Sequence, residues 1–306
     1  NHVTQGWRQP GSSFKPFLYS AAIDQGVMPS TVVNDGPLDL PGVDGGPGWN
    51  PQNDDGQFLG AIPLRTALAR SRNLVSVRLV QMLGVDPART WAARFGFDID
   101  KQPANLTLAL GAGSTTPLQL ASAYGVFANG GHVLPPVVIE RITDAQGKVL
   151  FEAPPPPVLA DLAPAVPERN LFITNSMLQT VTSSGTAARA QGTLKRPDLY
   201  GKTGTTNDSV DAWFAGFQPS LVAVVWTGYD KPRSMGRESG SSVSLPIWID
   251  YMGRALKGVP VAPFAPPPSV MHDALDDWTY TDPPENGELI RLGFDETPAP
   301  PVEPGG

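Results

Sequence analysis

The sequence lacks cysteine and has very little histidine. Its 306 residues contain no cysteine and three histidines, His2, His132 and His272. The absence of cysteine excludes disulfides, thiolate metal sites, iron–sulfur clusters and a cysteine nucleophile. Two of the histidines lie near the ends of the chain, so a histidine triad or a multi-histidine metal site is poorly supplied. A nucleophilic enzyme built from this chain needs Ser, Thr or Lys as its nucleophile, with Lys or a carboxylate as base.

Long apolar runs and an excess of positive charge are also absent. No apolar run reaches the length of about 18 residues that a membrane-spanning helix needs; the longest, residues 221–226 (LVAVVW), has the length of a buried strand. The net charge is −7 and no basic patch is visible, which disfavours nucleic-acid binding. The chain starts at Asn1 without Met or a signal peptide, and we interpret it as a segment of something longer.

What the sequence does contain indicates an α+β fold. Hydrophobic residues make up 41% of the chain, enough for a core, while 32 Gly and 34 Pro indicate much turn and loop. Capping residues and apolar periodicity predict helices over residues 12–25, 63–70, 74–83, 86–94, 117–127, 169–181 and 246–256. Strands are predicted over residues 137–142, 149–152, 200–205, 212–217 and 221–229. Helices followed by an antiparallel sheet and a covering helix are typical of α+β proteins.

The other segments are predicted to be irregular. Residues 27–60 have the composition of a long irregular excursion, and residues 154–167 that of an extended proline-rich linker. From residue 263 onward proline and acidic residues dominate, so we expect a loosely packed tail over 263–306.

The first candidate for chemistry is the pair Ser12-x-x-Lys15. Positions i and i+3 of a helix lie on one face, so the Lys15 amine is expected within reach of the Ser12 hydroxyl. The helix N-terminus favours an oxyanion at the serine and disfavours the protonated lysine, which suits Lys15 to act as a base. No other lysine has a serine three residues earlier. Taken by itself, Ser12 is also a good helix N-cap.

Two further patterns complete the set. Ser71-x-Asn73 places a hydroxyl and a carboxamide at a helix start, where they can relay a proton and hold a substrate amide, or cap the following helix. Lys202-Thr203-Gly204-Thr205 lies on a predicted strand whose edge can pair with an extended peptide. In this third pattern Lys202 and the hydroxyls of Thr203 and Thr205 suit a carboxylate, and Gly204 permits close approach of a ligand.

The three patterns occur once each and in the order found in β-lactamases and penicillin-binding proteins. With them the chain resembles the transpeptidase domain of class A penicillin-binding proteins of the Gram-negative type. The likeness extends to residues 8–17 (RQPGSSFKPF), 108–111 (LALG), 116–131, 201–207 (GKTGTTN) and 211–216 (DAWFAG), and covers about residues 1–260.

This resemblance implies a set of site residues. The nucleophile is Ser12, with Lys15 as its base, and Ser71 and Asn73 come from the helical lobe. The substrate carboxylate or a β-lactam is bound by residues of the third pattern, Lys202, Thr203, Gly204 and Thr205. The backbone N–H groups of Ser12 and Thr205 form the oxyanion hole. No metal and no organic cofactor is implied.

The resemblance also implies a fold that this chain completes only in part. The family has a five-stranded antiparallel sheet between helices, with an all-helical lobe beside it. Only eleven residues precede Ser12, so we expect the first strands to be missing and an upstream segment, or a second polypeptide, to supply them. We assign residues 1–262 to the transpeptidase domain, with a helical lobe over about 27–135 and a sheet part over 136–262.

The function implied is a D,D-transpeptidase that crosslinks peptidoglycan stem peptides through an acyl-enzyme on Ser12 and is acylated by β-lactams. Its expected partners are stem peptides, β-lactams and the upstream glycosyltransferase part of the same protein, with no nucleic acid. Membrane contact is expected only through an anchor outside this chain, which places the domain at the periplasmic face of the inner membrane.

Three alternatives stay open. A serine β-lactamase of the same fold adds a glutamate base in a Glu-x-x-x-Asn pattern, but Glu140, Glu152 and Glu168 each lack an Asn four residues later. A D,D-carboxypeptidase differs only in using water as the acceptor. A non-catalytic β-lactam sensor or docking module would keep Ser12 and Lys15 but would not turn over substrate.

Overall fold

The computed structural model describes residues 1–41, 48–282, 284 and 287–294. The helices are α1 His2–Gln5, α2 Lys15–Asp24, α3 Leu64–Ala69, α4 Asn73–Leu83, α5 Val85–Ala93, α6 Pro117–Ala128, α7 Glu168–Ser183, α8 Arg189–Leu194 and α9 Leu245–Ala255. The strands are β1 Val32–Asp35, β2 Gly60–Pro63, β3 Arg141–Thr143, β4 Val149–Glu152, β5 Tyr200–Thr205, β6 Asp211–Gln218, β7 Leu221–Gly228, β8 Val270–His272, β9 Trp278–Tyr280 and β10 Arg291–Leu292.

The centre of the molecule is the helix α2. Every residue of α2 from Lys15 to Ile23 is buried, because the residues after Lys15, PFLYSAAI, are apolar, aromatic or small around the whole helix. It packs against α4, α5 and α7. At its start, Phe14 and Phe17 join the rings of Phe95, Phe97 and Phe127 in one aromatic cluster. This cluster fixes the beginning of α2 against the helical lobe.

The predicted helix that starts at Ser12 is wrong in its first turn. Residues Gly11–Phe14 form a 3₁₀ turn, and the α-helix begins only at Lys15. The physical reason is Pro16, which has no N–H to donate to the Ser12 carbonyl and whose ring would clash with it in an α-helix. The N–H of Lys15 bonds that carbonyl instead. Ser12 is therefore not the N-cap of an α-helix.

The main sheet has the order β5-β6-β7, with all neighbours antiparallel. Side chains alternate between its faces, and helices cover both of them. Phe214 packs on Trp248 of α9, while Phe217, of opposite parity, packs on Tyr124 of α6. The predicted α+β class with an antiparallel sheet is confirmed. Among the described residues this sheet has three strands, so the chain contributes part of the five-stranded sheet that the resemblance implies.

The smaller sheets correct two predictions. The excursion predicted over residues 27–60 contains the strand β1, which pairs antiparallel with β2; residues 42–47 lie outside the described residues. The predicted hairpin is present, but its first strand begins at Arg141 rather than at residue 137. Pro135 and Pro136, which have no N–H for a ladder, lie just before the predicted start of this strand.

The expectation of a loosely packed tail is wrong for the described part of residues 263–306. Strands β8 and β9 form a hairpin, and β10 pairs parallel with β1. Val270 and Tyr280 are buried, and Thr31 Oγ1 donates to the Leu289 carbonyl at 2.6 Å. The apolar residues of this segment are scattered among prolines and acids, so they show no periodicity, yet some of them enter the core. Residues 295–306 lie outside the described residues.

An ion pair joins the tail to the helical lobe. The guanidinium of Arg65 on α3 binds both carboxylate oxygens of Asp277 and also donates to the Ser176 carbonyl on α7 at 2.8 Å. The Arg65 and Asp277 side chains are only 20% and 18% exposed. A bidentate pair of this kind is stronger than an exposed one, and losing one partner leaves the other desolvated.

We therefore expect Asp277→Asn to destabilise the protein by about 1–3 kcal/mol, because Arg65 loses its carboxylate. The measurement is the free energy of unfolding in urea. Asp276→Asn is the matched control: the Asp276 side chain is 96% exposed, so we expect a change within about 0.5 kcal/mol. Equal effects of the two substitutions would contradict a structural role of the Arg65–Asp277 pair.

Candidate active site

The three sequence patterns meet at one cleft of about 180 Å³ between the sheet and the helical lobe. Its walls come from the 3₁₀ turn, the loop before β2, the connection between α3 and α4, the end of β5 and the turn before α9. The lining residues are Ser12, Asp54, Asp55, Arg70, Ser71, Arg72, Thr186, Thr203, Thr205, Ser239 and Ser241. Three other predicted site residues, Lys15, Asn73 and Lys202, are buried behind this surface.

The 3₁₀ turn that carries Ser12 is held from inside the protein. Ser13 Oγ donates to the Pro10 carbonyl at 2.7 Å, and the Tyr124 hydroxyl donates to the Ser13 carbonyl at 2.7 Å. The Ser12 side chain lines the cleft, and its hydroxyl has no hydrogen-bond partner within the described ranges, so the predicted approach of the Lys15 amine does not form a hydrogen bond to it here. The serine hydroxyl is thus available to a ligand while its backbone is fixed.

Glycines let the turn, the sheet and the helical lobe approach one another at backbone distance. A Cβ on Gly204 would lie 2.4 Å from the Pro10 carbonyl oxygen, and one on Gly11 would lie 2.5 Å from the Thr205 carbonyl oxygen. On the lobe side, a Cβ on Gly111 would lie 2.1 Å from the Gly11 carbonyl oxygen. The sequence predicts that Gly204 lets a ligand approach the backbone. In the structure the turn that carries Ser12 fills that space.

Lys15 is completely buried and its amine is held by the helical lobe. Its Nζ donates to the Ser71 carbonyl at 2.8 Å and to Asn73 Oδ1 at 2.7 Å. Burial lowers the pKa of Lys15 from 10.5 to about 7, against the opposing effect of the Asp54 carboxylate. Near neutral pH, a large fraction of this amine can therefore be uncharged.

Lys202 is also completely buried and faces the same serine from the sheet. Its Nζ donates to Ser71 Oγ at 2.8 Å and to the Thr203 carbonyl at 3.1 Å. Burial lowers the pKa of Lys202 well below its usual value, and the neighbouring Lys15 charge lowers it further. Ser71 therefore lies between the two amines, with Lys15 Nζ 3.4 Å from its Oγ.

The backbone of Ser71 adopts an unusual conformation. Its φ is 58°, in the left-handed region that non-glycine residues rarely occupy. Such strain persists only where the surrounding structure fixes it, and it is concentrated at functional sites. Here the conformation directs both the carbonyl and the hydroxyl of Ser71 toward lysine amines.

Asn73 begins α4 without capping it by its own side chain. The cap comes instead from Asn53, whose Oδ1 accepts from the backbone N–H of Asn73 at 2.8 Å. The Asn73 Nδ2 donates to the Gln52 carbonyl at 2.8 Å and to Asp54 Oδ1 at 2.9 Å. Capping by Ser71 or Asn73 side chains, the alternative that the sequence allows, does not occur.

The loop over residues 52–57 is clamped in place by Arg72. Its Nε donates to Asp35 at 2.7 Å, its Nη1 donates to Asp55 at 2.8 Å, and its Nη2 bonds the Gln57 carbonyl. The Arg72 side chain is 5% exposed and that of Asp35 is fully buried. Two buried partners of opposite charge therefore fix the loop that reaches the Asn73 amide.

Sequence reasoning missed several polar residues of the cleft. Thr186 Oγ1 lies 2.7 Å from Thr203 Oγ1, and the Gly240 N–H donates to Thr205 Oγ1 at 3.1 Å. Ser239 and Ser241 line the cleft beside them. These residues, like Asp54, come from irregular segments, where no periodicity or spacing signals a position in the tertiary structure.

The arrangement is suited to acyl transfer. An unbonded serine hydroxyl faces the cleft, a buried amine with a pKa of about 7 lies on the next turn, and donors from Thr203 and Thr205 line the opposite wall. The acids that line the cleft are Asp54 and Asp55; no glutamate of the described residues does so.

Known proteins share both sequence and structure with this chain. The family profile described as "Penicillin binding protein transpeptidase domain" matches residues 1–252. Penicillin-binding protein 1A of Neisseria flavescens is 47% identical over 273 residues, which cover 89% of this chain and 34% of that protein. The chain spans about a third of the length of the curated relatives it matches.

Two solved structures agree with these matches. Penicillin-binding protein 1A from Haemophilus influenzae is similar with a TM-score of 0.85 and 35% identity, covering 92% of this chain and 49% of that one. PonA1 from Mycobacterium tuberculosis in complex with penicillin V is similar with a TM-score of 0.72 and 27% identity, covering 92% of this chain and 77% of that one. The chain belongs to the penicillin-binding protein transpeptidase family.

Proposed function

We propose that this domain is a D,D-transpeptidase that crosslinks peptidoglycan stem peptides through an acyl-enzyme on Ser12, and that β-lactams acylate the same serine. The observation that carries the proposal is the buried Lys15 amine, which Ser71 and Asn73 hold one turn from an unbonded serine in the cleft. Family membership and a relative solved with penicillin V support it.

In the acylation step, Ser12 Oγ attacks the carbonyl carbon of the penultimate D-Ala. An ester bond forms to Ser12 while the amide bond to the terminal D-Ala breaks. A neutral Lys15 amine that donates its two protons to the Ser71 carbonyl and Asn73 Oδ1 keeps one lone pair, which accepts the Ser12 proton. This proton then passes through Ser71 to the leaving amine of D-Ala. An amine of a second stem peptide next attacks the ester carbonyl: an amide bond forms, the ester bond to Ser12 breaks, and the proton that the amine loses returns to Ser12 Oγ through Lys15.

The opposite wall binds the substrate in this proposal. The terminal carboxylate takes hydrogen bonds from Thr203 and Thr205 and is attracted by Lys202 when that amine is protonated. The backbone N–H groups of Ser12 and Thr205 stabilise the oxyanion, with the carbonyl placed between turn and strand. Gly204 is assigned a packing role beside Pro10 rather than a contact to substrate.

A β-lactamase of the same fold is the second candidate. It needs a base that activates water for deacylation, and the described cleft contains Asp54 and Asp55 but no glutamate. Asp55 is bound to Arg72, and Asp54 to the Asn73 amide. Slow deacylation, and therefore a penicillin-binding protein, is the better supported proposal.

The setting of the domain is also proposed. Residues 1–262 act as one transpeptidase unit, with the helical lobe over about 27–135, and an upstream glycosyltransferase segment supplies the remaining sheet strands and a membrane anchor. The site then works at the periplasmic face of the inner membrane. None of the helices within the described ranges has the length and hydrophobicity that a bilayer crossing requires.

Exposure to a β-lactam tests the nucleophile. We expect a covalent adduct on the peptide that contains Ser12, stable over hours and absent in Ser12→Ala, when intact mass is followed. Ser13→Ala is the matched control, because Ser13 Oγ is bonded to the Pro10 carbonyl and lies away from the cleft lining. We expect this control to retain the adduct.

Each contrary result has a distinct meaning. Undiminished labelling of Ser12→Ala would exclude Ser12 as the nucleophile. A transient adduct with hydrolysis of the drug would establish a β-lactamase. Lack of an adduct on the chain, followed by its appearance when the upstream segment is added, would show that the complete sheet is needed. Turnover of a stem-peptide substrate with and without an acceptor amine separates transpeptidase, carboxypeptidase and sensor.

The pH dependence of acylation tests Lys15. Because the base must be uncharged and its pKa is about 7, we expect the acylation rate to rise with pH through about 7 and then to level off. Lys15→Arg keeps the charge but cannot release its proton, so we expect acylation to fall by at least about 10²-fold at every pH. A rising limb that Lys15→Arg retains would contradict the role of Lys15. Thermal unfolding shows whether each variant is folded.

A further inference from the structure

Asp54 is the residue of the cleft whose place in the chemistry is not explained by the family patterns. It belongs to the irregular loop over residues 52–57 and is exposed to the cleft. Its Oδ1 accepts from Asn73 Nδ2 at 2.9 Å, and it forms no ion pair with a described residue. Its neighbour Asp55 is different, because Arg72 binds that carboxylate at 2.8 Å.

The contact fixes which way the Asn73 amide faces. Both protons of Nδ2 are used, one by the Gln52 carbonyl and one by Asp54, so Oδ1 is turned toward Lys15 Nζ at 2.7 Å. The reversed amide would place Oδ1 against two acceptors and Nδ2 against the lysine, which donates to it in this structure. Only one orientation therefore satisfies every group around Asn73.

The orientation of Asn73 determines in turn how the Lys15 amine is held. Asn73 Oδ1 and the Ser71 carbonyl are the two close acceptors of Lys15 Nζ. With both contacts in place, two protons of the amine are committed, and the lone pair that the neutral amine keeps has a fixed direction. Through Asn73, the Asp54 carboxylate thus reaches the proposed base without touching it.

The charges around Lys15 single out Asp54. Asp35 and Arg72 bind each other at 2.7 Å, and their effects on the pKa of Lys15 oppose each other, since Asp35 raises it and Arg72 lowers it. Lys202 shares Ser71 with Lys15, but burial and the Lys15 charge lower its own pKa well below the usual value. The Asp54 carboxylate is the largest charge effect on Lys15 and the one without a cationic partner in the described part of the chain.

We propose that Asp54 is a positioning residue for acylation, which holds the Asn73 amide in the orientation that aligns the Lys15 amine with Ser12. The proposal rests on the proposed function and adds a residue to it. The same carboxylate also favours the protonated form of Lys15. Asp54 therefore helps to align the base but reduces the fraction of uncharged amine at low pH.

The test is the acylation rate of a fluorescent penicillin, measured on the full chain between pH 5.5 and 9. In Asp54→Asn we expect the midpoint of the rising limb to fall by on the order of half a pH unit, because the amine loses a favourable negative charge. We expect the plateau at high pH to be about tenfold lower, less than the ~10²-fold of a 1 Å misplacement, because Gln52 still holds one Asn73 proton.

Two variants serve as controls. Asp54→Glu retains the charge and is expected to return the midpoint to the wild-type value. Asp55→Asn removes a charge from the next residue, which contacts Arg72 and not Asn73, so its midpoint is expected to equal that of wild type whatever its plateau. Asp54→Ser provides the same loss of charge should Asp54→Asn unfold, as thermal unfolding will show.

The contrary outcomes are separable. A high-pH plateau equal to that of wild type in both Asp54→Asn and Asp54→Ser would overturn the positioning role, and an unchanged midpoint in both, or an equal shift in Asp55→Asn, would overturn the charge effect of Asp54, while the proposed function stands. Failure of the wild-type chain to be acylated at any pH, even with the upstream segment added, would overturn the proposed function and this proposal with it.

Discussion

The burial of two lysine amines around one serine is the constraint on which the site depends. Neither Lys15 nor Lys202 reaches solvent, and each amine donates to Ser71. Two like charges cannot share so small a buried volume at low energetic cost, so burial and mutual repulsion both favour a neutral amine. The strained backbone of Ser71 and the clamp by Arg72 both maintain this geometry.

The helical lobe and the sheet each contribute half of that arrangement. Ser71 belongs to the lobe and Lys15 to α2, which packs against it, whereas Lys202 belongs to β5. The amines meet only because the 3₁₀ turn before α2 packs directly on β5. A shift of one part relative to the other would therefore separate Lys202 from Ser71.

The sequence was informative where residue type alone determines position. Uniquely occurring motifs predicted that Ser12, Ser71 and Lys202 would matter, and apolar periodicity predicted most helices and the β5-β6-β7 meander. It failed where a long-range contact decides the conformation. The tail enters the core through isolated apolar residues, and Asp54 reaches Asn73 only because Arg72 fixes its loop. The effect of Pro16 was readable from the chain, since a proline without an N–H excludes an α-helical bond to Ser12.

The glycine contacts at the 3₁₀ turn have a consequence for how the site tolerates change. The Pro10 and Gly11 carbonyls meet Gly204 and Gly111 with no room for one methyl group, so backbone meets backbone there. The separation between Ser12 and the end of β5 is consequently set by main-chain dimensions, which vary little, and not by side-chain rotamers. A nucleophile spaced in this way keeps its distance from the sheet when the surrounding side chains are substituted.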